Sequence, residues 1–219
     1  DEVRVDVAYC GVCGSDLHLF FDTPEPMTGH VLGHEFSGTI SELGSGVEGW
    51  SVGDNVVVLP IDECGECLAC RRADGTGVCV AGLTQGPGLG RAGALAESVV
   101  VPARMLFAVP DSLDLRTAAL TEPLAVTLRG VWHSGAQAGD SVVVMGAGPI
   151  GLLATQALHA RGITMCLWWN RIRIAASLPN DSGSRLPRPT TCSRGRRSSR
   201  VRYGPCSTVP VMRRCSRTR

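Results

Sequence analysis

Sixteen residues constrain this chain more than any others. The run "CGECLACRRADGTGVC" spaces Cys64, Cys67, Cys70 and Cys79 by two, two and eight residues. Four thiolates on one short loop can close a tetrahedron around zinc with no position left for water, which is the arrangement of a structural site. Four unligated thiols are the plain alternative. An iron–sulfur cluster is the other, but no trailing Cys-Pro follows the run. Six of the ten cysteines lie before residue 80 in such spacings, and four are scattered near the end. That clustering favours metal ligation over a disulfide framework. The first residues, "DEVRVDVAYC", are charged and alternating rather than a basic patch followed by an apolar run, so no signal peptide is read there and a cytoplasmic, reducing location is expected.

The 219 residues can bury one large core or two modest ones. Short alternating or β-branched runs at 3–9, 39–43, 55–59 and 97–101 are separated by Gly, Pro and Asp turns, a pattern that predicts a β-rich, barrel-like domain. After Pro110 the texture changes. "SLDLRTAALTEPLAVTLRGVWHSG" carries Leu120, Leu124, Leu128 and Trp132 at helical spacing. "DSVVVMG" then reads as a buried parallel strand, and "PIGLLATQALHARG" as a helix with Ile150, Leu153, Ala154, Ala157 and Leu158 on one face and Gly162 as its stop. Strand, glycine turn and helix make the first half of a βαβ unit. The apolar stretch 141–160 is long enough to suggest a membrane span, but its Gly-Pro interior, Gln156 and His159 argue against one. The chain lacks an initiating Met and its first residues read as mid-strand, so a preceding segment is expected.

Two further constellations bear chemistry. "CGVCGSDLH" and "GHVLGHEFSG" bring a thiol, Cys13, and an imidazole, His34, from separate segments; few protein ligands and one open position suit a zinc ion that does chemistry. Taken alone, such residues are more often a small buried thiol and a satisfied core histidine. In "GAGPIG", Gly146, Gly148 and Gly151 form GxGxxG between a strand and a helix, where the first glycine permits the turn, the second lets a pyrophosphate approach and the third lets helix and strand pack closely.

These motifs together resemble the zinc alcohol dehydrogenases of the medium-chain dehydrogenase/reductase family. "GHEFSGTISELGSGV" fits the family's zinc signature at Gly33, His34, Glu35, Gly38, Gly44 and Val47, and "YCGVCGSDLH", the four-cysteine lobe, "TEPLAV" and "VMGAGPIGLLA" occur in the family's order. The resemblance covers about residues 1–163 and is nearest the polyol, butanediol and threonine dehydrogenase branch. It implies an α/β chain with a β-rich part: a GroES-like catalytic β-barrel over 1–112 and the start of a Rossmann domain, a doubly wound parallel sheet, over 113–163. It implies that Cys13, His34 and Glu122 hold a catalytic zinc, with Glu35 beside the metal and able to exchange with substrate or water. By the same resemblance, Asp16 orients His34, Ser15 and His18 relay the alcohol proton, and the four cysteines hold a structural zinc. Gly146, Gly148, Pro149, Ile150 and Gly151 would cradle NAD or NADP. The implied substrate is a small alcohol or ketone, and the family is usually homo-oligomeric.

The near-neutral composition hides a split at Ile163. Residues 1–163 hold 8 Arg and 19 acids, a balance of −11; residues 164–219 hold 13 Arg and one acid, a balance of +12; the chain has no Lys. Ordered structure is therefore expected to end near Thr164. A dinucleotide fold needs a second strand ending in an acid about 20 residues after the first glycine, and that window, "MCLWWNRIR", has none. The 164–219 tail reads as translated in the wrong frame or wrongly joined. A divergent linker and a basic nucleic-acid arm are the alternatives, though no nucleic-acid-binding module accompanies the arginines. Weak or absent turnover follows from this reading. A non-catalytic zinc-binding module is its rival, and a nicotinamide-cofactor titration separates the two.

Overall fold

The computed structural model describes residues 1–22, 29–72, 78–163 and, by backbone alone, Val80, 165–169 and 211–213. They fall into two compact units, Asp1–Pro123 and Leu124–Arg219.

In the first unit the chain runs β1 (Glu2–Gly11), α1 (Gly14–Phe21), β2 (Glu35–Leu43), β3 (Asn55–Val58), two single-turn helices α2 (Leu68–Arg71) and α3 (Val80–Leu83), β4 (Ser98–Pro102), a 3-10 turn (Ala103–Met105), β5 (Leu106–Ala108) and α4 (Leu115–Ala118). The strands form one antiparallel sheet in the order β4-β1-β2-β3-β5. β4 and β5 lie at opposite edges yet are joined only through the turn at 103–105. Five flat strands would place those edges roughly 19 Å apart at about 4.8 Å per step. Four residue steps reach at most about 14 Å. The sheet must therefore curl, and register shifts in β1 at Arg4/Val5 and Val7/Tyr9 help it do so.

Alternation in "EVRVD" puts Val3 and Val5 on the inner face, where both are fully buried with Phe36, Ile40, Val56, Val99 and Val101. β1 and β2 run longer than the sequence-predicted runs, β2 starting four residues earlier, while β3 ends a residue sooner and β4 is shifted by one residue. The sequence reading did not anticipate β5, the helices α1, α2 and α3, or the division of the post-Pro110 helical stretch into α4 and α5 (Thr121–Ser134). Asp114 ends the loop before α4 and accepts the Thr117 amide at 2.9 Å, so the first short helix has its own cap. The apolar stripe on α5 also differs from the sequence reading. Leu120, Leu128 and Trp132 are exposed, and the neighbouring stripe of Pro123, Thr127 and Val131 is buried. The two stripes lie side by side on a helix, and residue size alone pointed to the wrong one.

The second unit contains β6 (Ser141–Met145), α6 (Pro149–Ala160), β7 (Met165–Trp169) and β8 (Val211–Arg213), with β6 between β7 and β8. Val142 and Val144 of β6 pack with Ala154, Ala157, Leu158 and Ile163. Gly162, at φ 77°, closes α6: its amide reaches His159 O at 2.9 Å while the Ile163 amide reaches Leu158 O at 3.0 Å. The glycine supplies the left-handed residue that this stop requires. Beyond Thr164 the described backbone holds two short strands. β7 pairs in parallel with β6 from Ser141↔Met165 to Met145↔Trp169, and β8 pairs antiparallel to β6. "MCLWW" is an apolar, aromatic run of the kind strands favour, whatever the composition around it. The rest of the Arg-rich tail lies outside the described residues. Among the described residues no helix is long and apolar enough to cross a membrane.

Candidate metal centres and cofactor cradle

The four cysteines converge as their spacing requires, with sulfurs all within 4.8 Å of one another. Cys67 and Cys70 stand 3.5 Å apart and Cys64 and Cys70 3.9 Å. Four sulfurs around one zinc would lie about 3.8 Å apart, so the residues present fit that ion. Backbone amides point at the sulfurs: Gly82 to Cys79 at 3.2 Å, Cys67 to Cys64 at 3.4 Å and Cys64 to Cys79 at 3.5 Å. Such donors favour the thiolate form a metal needs. Amides of Glu66 and Cys67 bring Cys64 down to about 6, and burial, with the hydrogen bonds of its neighbours, pushes Cys70 up to about 12.

The second candidate centre is assembled from two separate segments. Cys13 closes the loop between β1 and α1, while His34 and Glu35 stand at the entry to β2. Their ligand atoms lie within 4.8 Å of one another. A thiol, an imidazole and a carboxylate so close are a donor set zinc accepts. Asp16 lies behind them, almost fully buried: its Oδ2 accepts the Cys13 amide at 2.8 Å, its Oδ1 accepts the Gly33 amide at 3.2 Å, and Oδ1 stands 3.5 Å from His34 Nδ1. At that distance Nδ1 makes no formed hydrogen bond and remains a buried nitrogen without a partner. The other ring nitrogen, Nε2, lies 3.4 Å from Ser15 Oγ.

The electrostatics match this arrangement. The hydrogen bond from His34 holds the Cys13 thiol below its ordinary value, against burial. Burial works to lower His34, but the same bond and the charge of Asp16 raise it overall. Glu122, in the first turn of α5, is raised by burial and by Glu35 and drawn down by His34, so it feels the charges of the centre while standing outside the 4.8 Å group. His18 is on the exposed side of α1, paired with Asp22 at 2.6 Å. The structure therefore brings together Cys13, Ser15, Asp16, His34 and Glu35, sets Glu122 nearby, and leaves His18 at the surface.

Three residues escaped the sequence reading. Cys10 is a half-buried thiol pushed up to about 11 by burial and by Asp16 and Glu35; its CxxC spacing to Cys13 was the available signal. Ser37 donates to the carbonyl of Leu115 at 2.5 Å, tying β2 to the helix that leads toward Glu122. His30 carries a buried, unpartnered Nε2, and nothing in its local sequence marks it.

In the second unit Gly146 turns the chain at φ 107° and Gly148 precedes Pro149 at the first position of α6. A methyl group on Gly151 would overlap the carbonyl oxygen of Gly146, whereas methyl groups on Gly146 or Gly148 would meet nothing. The third glycine thus serves packing and the first two leave open space before a helix N-terminus, where free amides suit phosphate.

The family profile of the alcohol dehydrogenase GroES-like domain matches residues 1–111. The (R,R)-butanediol dehydrogenase of Bacillus subtilis is 42% identical over 176 residues, covering 74% of this chain and 49% of that protein. The chain belongs to the zinc-type alcohol dehydrogenases of the medium-chain dehydrogenase/reductase family. Within it, the similarity is to the butanediol and sorbitol dehydrogenase branch: the sorbitol dehydrogenase of Halalkalibacterium halodurans is 40% identical over 170 residues, covering 76% of this chain and 48% of that one. Among solved structures, a zinc-binding dehydrogenase from Sinorhizobium meliloti 1021 bound to NADP superposes with a TM-score of 0.70 at 36% identity, over 79% of this chain and 50% of that one. The chain spans about half the length of the curated relatives it matches.

Proposed function

We propose that this chain carries the metal-binding part of a zinc-dependent dehydrogenase that transfers hydride between a secondary alcohol or polyol and NAD or NADP. The observation that carries this is the convergence of Cys13, His34 and Glu35 with Asp16 buried behind them, beside a complete four-cysteine lobe. Family likeness supports the reading, since relatives of this branch are named butanediol and sorbitol dehydrogenases.

In this reading Cys13, His34 and Glu122 hold a catalytic zinc, Glu35 stands beside it, and the four cysteines hold a structural one. A bound zinc supplies Lewis acidity that brings an alcohol's ionisation toward neutral pH. Asp16 holds the Cys13 loop and the Gly33–His34 backbone in one frame through its two amide hydrogen bonds. Ser15, 3.4 Å from His34 Nε2, would take a proton from the reacting hydroxyl, and His18, one turn along α1 and exposed, would pass it to water. The cradle at Gly146, Gly148, Pro149, Ile150 and Gly151 would receive the pyrophosphate at the start of a Rossmann unit built on β6, α6 and β7. No acid occurs between Asp140 and Asp181 to hold the ribose hydroxyls, so cofactor binding is expected to be weak.

Metal analysis of the purified chain together with turnover of 2,3-butanediol and NAD or NADP tests this. Bound zinc with absent or very weak turnover is the expected result. A chain that takes up no zinc would overturn the reading, and a chain that binds zinc but leaves a nicotinamide-cofactor titration flat would favour a non-catalytic zinc module.

A further inference from the structure

The motif "QGPGLGRAGAL" belongs to neither metal site, yet it lies between them. It follows Cys79 and α3, and its far end pairs with the strip that delivers His34. The Gly93 amide donates to Val31 O at 2.7 Å, Ala94 to Gly33 O at 2.9 Å and Leu95 to Leu32 O at 2.9 Å. Its near end is tied to the lobe: the Gly86 amide donates to Leu83 O at 3.4 Å, Leu83 to Cys79 O at 3.3 Å, and Gly82 to the Cys79 sulfur at 3.2 Å. The middle is closed on itself by Gly88 N to Arg91 O at 2.9 Å.

This contact has no slack. A methyl group on Gly88 or Gly93 would overlap the carbonyl oxygen of Gly33, and one on Gly86 that of Pro60. Each overlap is with backbone, which cannot swing aside as a side chain can. Gly33 is equally confined from the other side, by Cys10 Sγ and Leu95. The residue before His34 is thus gripped by the loop at its carbonyl and by Asp16 at its amide.

We propose that the 86–95 loop is a positioning element that couples the two metal sites: filling the four-cysteine lobe fixes Cys79, the loop then stiffens against 31–33, and His34 is held in ligating position. No side chain of the loop is required, because the grip is made by backbone. This inference rests on the assignment of the two metal sites proposed above.

The test uses the full chain. Metal-free protein receives one equivalent of zinc, and hydrogen exchange of the Gly93, Ala94 and Leu95 amides is followed. Cobalt titration then reports the two sites separately, since four-thiolate and one-thiolate cobalt differ in charge-transfer intensity. Coupling predicts that the first zinc slows those three amides at least tenfold. It also predicts that Gly93→Ala keeps the four-thiolate spectrum while weakening the second cobalt at least tenfold, and that Arg91→Ala, which removes only a partly exposed ion pair with Glu2, weakens neither. Unchanged exchange in the unaltered chain would overturn the coupling even if Gly93→Ala failed to fold. Loading of both cobalt sites in Gly93→Ala as in the parent would overturn it too. A chain that binds neither zinc nor cobalt would overturn the site assignment itself.

Discussion

The two metal centres differ in where their ligands come from. The four-cysteine lobe draws every sulfur from residues 64–79 and needs only a short loop to close, whereas the second group brings Cys13 from a loop before α1 together with His34 and Glu35 from the entry to β2, with Glu122 at the start of α5 as a further ligand only in the proposed reading. A local site depends on its own spacing. A distributed one depends on the curled sheet that brings its segments together, and on backbone contacts such as those Asp16 makes with Cys13 and Gly33. Damage to the sheet should therefore cost the second centre its metal while sparing the first, and damage to the lobe should reach both if the glycine loop couples them.

Cys79→Ser probes this comparison most severely. Structural zinc sites are worth roughly 10 kcal/mol or more of apparent binding energy. Loss of the buried fourth sulfur should empty the lobe, weaken metal binding at the second centre through the 86–95 loop and lower the thermal midpoint sharply, seen by metal analysis and a melting curve. Phe36→Ala comes next. Phe36 is 2% exposed and adjoins Glu35, so its truncation should cost about 3–5 kcal/mol in denaturant unfolding. The lobe should still keep its zinc under native conditions; loss of both metals together would show that the lobe is not local after all. Asp16→Asn keeps the shape but removes the charge behind His34, and a cobalt titration should show the second centre weakened about 10–100-fold with the four-thiolate site unmoved. Arg104→Ala has the smallest effect. Its guanidinium forks onto Asp62 beside the lobe at 2.8 and 2.6 Å, but the arginine is largely exposed, and the melting curve should register no more than about 1 kcal/mol.

The same contrast explains what could be read from the residues alone. Local rules carried far: the Cys64–Cys79 spacing, the alternation in β1, the strand, glycine turn and helix from Ser141 to Gly162, and the stop at Gly162 all correspond to elements seen. Non-local facts did not emerge from pattern. The burial of Pro123, Thr127 and Val131 instead of Leu120, Leu128 and Trp132 follows from what α5 packs against, which no helical period encodes. β7 was missed because the Arg-rich composition around it outweighed a five-residue strand. The grouping of Cys13, His34 and Glu35 was reached through family resemblance; spacing by itself left each with an ordinary alternative. Nothing in the local sequence marks Gly88 and Gly93, whose confinement comes from the carbonyl of Gly33 standing against them.

The central claim is that one chain holds two zinc ions of different chemistry, one local and one distributed. Zinc stoichiometry of the purified chain and of its His34→Ala variant, measured side by side, tests it most directly. The account predicts two zinc ions per chain falling to one in the variant, with the four-thiolate cobalt spectrum intact. A parent chain with one zinc or none, or a variant that keeps two, would contradict it.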